Sequence, residues 1–257
     1  MRLVKARVVL LNREHIDPRL PAAAGRLCYS PDDVDEIVES QGGKKGAFLN
    51  RMFARGPHTS PMGHVYFTFG IQGVSRACSH QLVRHAVGWN WNQQSQRYVD
   101  AREVGVVMPP EIERRPEARD AFLHSAEDAL AAYASMREVL IAGGADKERA
   151  QEDARFLLPN CVETKLITTV NARALIQSSH VRLCLRAQWE IREVFSQMRE
   201  LVRDAFPVVA EYMVAKCEAL GYCDEGKMSC GRYPTREEVL GEEGGGGKKG
   251  GKKEVSR

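Results

Sequence analysis

The sequence predicts a fold that mixes α-helices and β-strands, because segments typical of β-strands lie between long amphipathic helices. The chain has 257 residues, of which 43% are hydrophobic, so it can bury a sizeable core as one large domain or two small ones. It contains no run of about 18 apolar residues, and we therefore expect no membrane-spanning helix. The formal net charge of +3 is too small to predict strong binding to polyanions.

Three segments are predicted as strands. Residues 3–10 alternate in polarity, Val65–Ile71 combines aromatic with β-branched residues, and Thr164–Val170 also favours a strand. Between the second and third strands, Ala121–Ala142 has the apolar spacing of a helix that Gly143 and Gly144 would end.

A second helix is predicted to begin near Lys147 and to end before Pro159, with Arg155 in its last turns. After the third strand, Asn171 is placed to cap the next helix.

That next helix poses a geometric problem. On a regular helix Arg173 and Arg182 would point about 180° apart, so one straight helix could not direct both at one ligand. Ser178–Val181 has low helix propensity, and we predict a break there. A long helix is then predicted over Leu185–Leu220, with an apolar stripe that forms a core face and a subunit contact. The stripe comprises Ala187, Ile191, Val194, Phe195, Met198, Leu201 and Val202.

The seven cysteines are odd in number and scattered, which is typical of reduced thiols in the cytoplasm rather than of a disulfide framework. Cys223 and Cys230 could ligate a metal, but no CxxC motif or neighbouring His pair accompanies them, and we predict no metal site. Residues 1–235 are predicted to form the folded domain. Residues 236–257, low in complexity from about Gly241, are predicted to be a disordered tail.

The most informative segment runs from Gln81 to Tyr98. A helix from about Val74 to Val83 is predicted to deliver its first polar residues, and Gly88 opens a loop beyond that helix. The segment combines arginines, a histidine, a serine and several amides with two tryptophans, a mixture that suits neither a solvated surface nor a core. Arginine recognises phosphate or carboxylate through planar donors, and amides read the edges of a heterocycle. The alternative interpretation is a polar surface loop.

The order and spacing of the polar segments resemble the flavin-dependent thymidylate synthases over roughly residues 1–235. The family motif Arg-His-Arg, followed after a spacer by Ser-x-Arg, is represented by Arg84–Ala86 and Ser95–Arg97. Asn171–Arg173, with Arg155 before it and Arg182 after it, completes the pattern. The resemblance implies an α+β fold of this family: an antiparallel-containing sheet with long helices, assembled as a homotetramer with shared active sites.

The resemblance also implies an activity, the formation of dTMP from dUMP with methylenetetrahydrofolate as carbon donor and NADPH as reductant through FAD. Hydride from reduced flavin at C6 would remove the need for a thiolate nucleophile, and the Pro-Cys-His motif of the cysteine-using thymidylate synthases does not occur here. The implied partners are these small molecules, with no nucleic acid and no membrane.

The resemblance assigns residues to the two ligands, with Ser60 supplied by a neighbouring subunit. The implied FAD contacts are His58, Ser60, Arg84, His85, Ala86, Gln93, Asn171, Ala172, Arg173 and Gln177. The implied dUMP contacts are Gln81, Leu82, Val83, Arg84, Gln93, Gln94, Ser95, Gln96, Arg97, Arg155 and Arg182. Arg182 would also be catalytic, because favouring the N3-deprotonated uracil makes C5 more nucleophilic.

Two departures from the family pattern leave alternatives open. Position 86 is Ala where the motif has its second Arg, and the spacer from Arg84 to Ser95 is one residue longer than usual. Arg76 or His80 could supply the missing cation. The altered loop could also admit a 2′-hydroxyl, so methylation or hydroxymethylation of a related nucleotide such as UMP is an alternative. A nucleic-acid-binding protein is the alternative from another class, against which the low net charge argues.

Overall fold

The computed structural model describes residues 1–41 and 59–242. These residues form a mixture of strands and helices, which confirms the predicted α+β class. In chain order the elements are β1 (Arg2–Leu3), β2 (Arg7–Leu10), α1 (Arg19–Leu27), α2 (Val34–Ser40), β3 (Tyr66–Ser75), α3 (Arg76–Leu82), β4 (Trp89–Gln93), β5 (Gly105–Val106), α4 (Pro110–Glu113), α5 (Pro116–Ala142), α6 (Lys147–Ala154), β6 (Glu163–Asn171), α7 (Ala172–Arg182), α8 (Trp189–Ala205), α9 (Pro207–Tyr212), α10 (Lys216–Leu220) and α11 (Arg236–Glu242). Short 3₁₀ turns occupy Arg13–His15, Ser60–His64, Arg155–Leu157 and Gly226–Met228.

The chain divides into two compact units. The first comprises Met1–Asn12 and Phe67–Thr169, and the second comprises Arg13–Tyr66 and Val170–Arg257. No helix among the described residues is long and apolar enough to cross a membrane. The helix α11 lies within the stretch assigned to the tail, and residues from 243 onward lie outside the described residues.

The first unit is built on a four-stranded sheet in the order β2-β3-β6-β4. Strand β2 is antiparallel to β3, with Val9 opposite Gly70, and β1 pairs in parallel with β5. The prediction of one strand over residues 3–10 is therefore wrong, because the chain changes pairing partner between β1 and β2. Between β1 and β2, the Lys5 carbonyl lies so close to Gly73 that a Cβ at position 73 would clash with it. Gly73 also has a φ of +67°, so this position requires glycine.

The core of this unit follows from the alternation along β3. Phe67, Phe69 and Ile71 are buried on one face, and the two phenylalanine rings stack with centroids 6.2 Å apart. The predicted strands over 65–71 and 164–170 are confirmed, and β3 runs four residues further, to Ser75.

The predicted helix over Ala121–Ala142 is confirmed as α5, which begins earlier with Pro116 in its first turn. It ends at Gly143, and Gly144 takes a φ of +96°. Helix α6 begins at Lys147 as predicted, but it ends at Ala154. Arg155 therefore opens the following 3₁₀ turn rather than lying in the last turns of the helix, as predicted.

In the second unit α7 runs without interruption to Arg182, so the predicted break at Ser178–Val181 is wrong. Asn171 caps the helix as predicted, with its side-chain oxygen accepting from Ala174 N at 2.8 Å. The hydroxyl of Ser179 donates to the Leu175 carbonyl at 2.7 Å, so this buried polar group is satisfied inside the helix. Packing of α7 against α8, α9 and α10 overrides the low intrinsic propensity.

The predicted helix over Leu185–Leu220 is wrong as one element. Its stripe is confirmed in α8, where Ile191, Val194, Phe195, Met198 and Val202 are buried. Pro207 cannot continue a helix, because it lacks an N–H and its ring clashes with the preceding turn. The chain therefore leaves α8 at Phe206, and Pro207 starts α9.

Candidate active site

The turn after α3 presents the first group of predicted ligand residues. The Ser75 hydroxyl starts α3 by accepting a hydrogen bond from Cys78 N at 3.0 Å. Leu82 is fully buried, whereas Arg84 is exposed and His85 is half-buried. Arg84 and His85 can therefore present side chains to a ligand, and Leu82 could offer only its backbone. The remaining predicted residues here are Gln81, which is half-buried, and Val83 and Ala86, which are exposed.

Trp89 and Trp91 hold this turn in place. They belong to β4, which corrects the prediction of a loop beyond Gly88; Gly88 itself makes the turn with a φ of +76°. The two indole rings stack on each other, with centroids 5.0 Å apart and planes inclined by 3°. Trp91 Nε1 donates to the His85 carbonyl at 2.7 Å, and the His85 ring lies 5.8 Å from that of Trp89.

The side chain of Gln93 also has a structural role. Its Nε2 donates to Ser79 Oγ at 3.0 Å and to Thr164 Oγ1 at 3.1 Å, so the amide ties β4 to α3 and β6. Beyond β4, Ser95 Oγ accepts from Arg97 N at 3.2 Å. Gln94, Ser95 and Gln96 are all half-buried.

Arg97 is held by two carboxylates of α6. Its Nη2 donates to Glu148 Oε1 at 2.6 Å, and its Nε lies 3.1 Å from Glu152 Oε2, without the angle of a hydrogen bond. Gln151 Nε2 donates to the Arg97 carbonyl at 2.9 Å. The positive charge of Arg97 is therefore compensated within the first unit.

Arg155, unlike Arg97, lies near another cation rather than near carboxylates. Burial lowers the pKa of the half-buried Arg76 guanidinium, and the positive charge of Arg155 lowers it further, so the two cations lie within electrostatic range. The backbone N–H of Arg76 donates to Val162 O at 3.0 Å, which ties the start of α3 to the segment that follows the Arg155–Leu157 turn. In the part of the chain that the structure describes, no carboxylate pairs with either side chain. The pair is a local excess of positive charge.

The second unit carries the other predicted residues. The Ser60–His64 turn packs against α7, and Ala172 N donates to Val65 O at 2.8 Å. Ser60 is exposed, and the same unit therefore places its segment beside the start of α7. His58 lies outside the described residues.

Helix α7 presents its predicted ligand residues on two sides. Arg173 and Gln177 are exposed and one turn apart, so they share a face. Arg182 is half-buried at the last helical position, about 180° around the axis from Arg173. Ala172 is buried, so only its backbone could meet a ligand.

Comparison with known proteins identifies the family. A family model described as thymidylate synthase complementing protein matches residues 9–208. The flavin-dependent thymidylate synthase of Nitratidesulfovibrio vulgaris is 44% identical over 224 residues, which cover 84% of this chain and 91% of the relative. The chain belongs to the flavin-dependent thymidylate synthase family.

Two further matches agree with this membership. The flavin-dependent thymidylate synthase of Clostridium tetani is 39% identical over 242 residues, covering 91% of this chain and 96% of the relative. A crystal structure of a UMP/dUMP methylase, PolB from Streptomyces cacaoi bound with 5-Br dUMP, matches with a TM-score of 0.63 at 23% identity. That match covers 82% of this chain and 96% of the other, and it shows that the fold is shared.

The sequence does not reveal which of the predicted ligand arginines form ion pairs with carboxylates of the same chain. Glu148 and Glu152 are four residues apart on α6, so their spacing alone places two carboxylates on one helix face. Nothing in the sequence indicated that this face meets Arg97. The sequence offers Arg76 only as a substitute for the missing motif cation, whereas in the structure Arg76 lies within electrostatic range of Arg155.

Proposed function

We propose that this chain catalyses the FAD-dependent reductive methylation of dUMP to dTMP, with methylenetetrahydrofolate as carbon donor and NADPH as reductant. The observation that carries the proposal is family membership, supported by 44% identity to a flavin-dependent thymidylate synthase over 84% of the chain. A methylene unit must gain two electrons to become a methyl group. When bound, FAD supplies that redox chemistry, and the protein supplies binding, orientation and charge.

The nucleotide phosphate is assigned to Arg155 together with Arg76. Two half-buried guanidinium groups without carboxylate partners among the described residues repel each other, and a phosphate placed between them would offset that repulsion. Gln81, on the same short helix as Arg76, is assigned to the nucleotide as well. Arg97 takes a positioning role, because Glu148 and Glu152 already hold its charge.

The residues available to FAD fit an anionic cofactor. Arg84 in the first unit and Arg173 in the second are both exposed, and neither has a carboxylate partner among the described residues. Each is assigned to FAD by the family resemblance, because a pyrophosphate requires positive charge. The Asn171 side-chain oxygen is occupied in capping α7, so its amide N–H groups remain for the cofactor. Ser60, His85 and Gln177 add polar contacts.

Arg182 is assigned to the uracil ring. The C-terminal end of a helix carries partial negative charge, which favours a cation at the last position of α7. A guanidinium placed on the ring would stabilise the N3-deprotonated form and raise the nucleophilicity of C5. We further propose a cytoplasmic homotetramer with shared active sites, in which Ser60 comes from a neighbouring subunit.

The test is an assay of the purified full-length protein. We expect a flavin absorption band, and we expect NADPH oxidation to require dUMP and methylenetetrahydrofolate and to yield dTMP, identified by mass spectrometry. A protein that neither retains nor takes up FAD would contradict the proposal.

A parallel assay with UMP tests the alternative substrate. If product forms faster from UMP than from dUMP, UMP replaces dUMP as the proposed substrate. Light scattering of the same sample measures the oligomeric state.

A further inference from the structure

A polar network on helix α5 holds the segment that follows the Ser95–Arg97 turn. The network comprises Asp100, Arg102, Tyr133, Arg137 and Glu138, none of which the family resemblance assigns to a ligand. Tyr133 is fully buried, and its hydroxyl accepts from Ala101 N at 3.3 Å and donates to Asp100 Oδ1 at 3.4 Å. Burial raises the pKa of the Tyr133 hydroxyl, so the group stays protonated and can donate to this carboxylate.

Arg137 lies one turn after Tyr133 on α5 and extends the network. Its side chain is only 7% exposed, and its Nη1 donates to Glu138 Oε1 at 2.6 Å. Its Nε lies 3.6 Å from Asp100 Oδ2, which is an ion pair rather than a hydrogen bond, and Arg102 Nε donates to the same oxygen at 2.7 Å. A buried charge is costly unless it is paired, so the burial of Arg137 depends on Asp100 and Glu138.

Tyr133 also contacts the end of helix α6. It forms a buried cluster with Ala101 and Ala154, and Leu158 packs against this cluster. Ala154 and Leu158 lie on either side of the Arg155–Leu157 turn. The cluster therefore joins the segment at Ala101 to both ends of the turn that carries Arg155.

A second buried side chain, Gln151 on α6, holds the Ser95–Arg97 turn itself. Its Nε2 donates to the Arg97 carbonyl at 2.9 Å, and Val99 N closes the turn by donating to Ser95 O at 3.1 Å. Helices α5 and α6 pack against each other, so the turn and the segment after it are held by one pair of helices.

We propose that Tyr133 and Arg137 are positioning residues for dUMP binding. Through Asp100 they fix the Ser95–Arg97 turn relative to Arg155. This inference rests on the proposed function, because both of the elements that are held in place are implied dUMP contacts. A site that already has its bound geometry spends no binding energy on ordering, so loss of these contacts weakens dUMP binding without removing any group that contacts dUMP.

The hydroxyl of Tyr133 distinguishes this role from ordinary core packing. Phenylalanine would bury the same ring against the same apolar neighbours, and only the hydroxyl reaches Ala101 N and Asp100. Its removal leaves the buried N–H of Ala101 without this acceptor. Tyr133→Phe therefore releases the segment while it keeps the core filled.

The first experiment measures this anchoring by amide hydrogen exchange of the full-length protein without ligands. Tyr133→Phe should speed exchange in a peptide that covers residues 99–104 by about tenfold, and it should leave exchange in β3 within about twofold of the wild type. Unchanged exchange in 99–104 would overturn the proposal, whether or not the protein binds dUMP. Equal acceleration in β3 would show overall destabilisation and would overturn it as well.

The second experiment measures ligand binding and turnover. In Tyr133→Phe the dissociation constant for dUMP on the flavin-loaded protein should rise about tenfold, with the FAD dissociation constant and kcat at saturating dUMP within about twofold of the wild type. Ser196→Ala is the control, because it removes a hydroxyl that donates to the Arg192 carbonyl on α8, and it should leave dUMP affinity unchanged. Equal weakening of dUMP and FAD binding, or unchanged dUMP affinity, would overturn the proposal. A wild-type protein that binds no dUMP would contradict the proposed function as well, whereas a failure confined to the variant contradicts only this inference.

Variants of Arg137 test the charged part of the network. Arg137→Ala leaves Asp100 with Arg102 as its cation and should weaken dUMP binding by at least about tenfold. Arg137→Lys keeps the charge and should recover part of the affinity. Affinity equal to that of the wild type in Arg137→Ala would remove Arg137 from the proposal. If the Ala variant does not fold, Arg137→Lys is compared with the wild type instead, and unchanged dUMP affinity in that variant has the same meaning.

Discussion

Arg97 and Arg155 lie in the same unit, and the family resemblance implies a dUMP contact for both, but their charged neighbours differ. Arg97 is paired with Glu148 and Glu152. Arg155 lies within electrostatic range of a second cation, Arg76, and has no carboxylate partner among the described residues. A sequence motif shows only that an arginine is present. Whether that arginine can bind an anionic ligand depends on whether carboxylates of the protein already neutralise its charge.

The largest effect is expected when the uncompensated pair loses Arg155. A hydrogen bond to a charged group contributes roughly 1.5–3 kcal/mol, so Arg155→Ala should raise the dissociation constant for dUMP about 100-fold. Titration calorimetry on the flavin-loaded protein measures this. Arg149→Ala is the control, because Arg149 is exposed on the preceding helix and pairs with Asp146. A change of less than about threefold in Arg155→Ala would remove it from the phosphate site, since that corresponds to less than one kcal/mol.

Arg76→Ala should weaken dUMP binding by about tenfold, less than the loss of Arg155, because the remaining guanidinium still meets the phosphate. Arg76→Lys separates charge from geometry, since Lys keeps the charge and loses the planar donors. Recovery of most of the affinity in the Lys variant would show that charge dominates. If Arg76→Ala binds dUMP as tightly as the wild type, the pairing with Arg155 has no role in substrate binding.

Features that depend on local sequence could be predicted, whereas features that depend on contacts distant in sequence could not. Strands β3 and β6, helix α5 and the Asn171 cap follow from local chemistry, and each was predicted. The continuity of α7 through Ser179 depends on packing against helices distant in sequence, which local propensity does not report. The pairing of Arg97 with α6 depends on contacts about fifty residues away, so the spacing of the motif could not reveal it.

A smaller change in ligand affinity is expected when the cation that the motif lacks at position 86 is introduced. Ala86 is exposed near Arg84, which has no carboxylate partner among the described residues. Ala86→Arg should tighten FAD binding by about three- to tenfold, within the range of a solvent-exposed charge-assisted contact. Ala86→Gln is the control for added length without charge. If the Arg variant binds FAD more weakly at matched salt, another cation already lies beside position 86 and repels the new guanidinium.

The smallest effect on dUMP binding is expected when the compensated arginine is released. Glu148→Gln removes the carboxylate that accepts from Arg97 Nη2 at 2.6 Å, and Glu152 remains beside Arg97 Nε. If Arg97 positions the loop rather than the phosphate, dUMP affinity should change by less than about threefold. The free energy of unfolding should fall by about 0.5 kcal/mol, because Arg97 and Glu148 are partly exposed and such pairs contribute little. Asp153→Asn, an exposed carboxylate change on the same helix, is the control. A marked gain in dUMP affinity in Glu148→Gln alone would show that Arg97 is a phosphate ligand that the acidic pair restrains, and the contrast with Arg155 would then be one of degree.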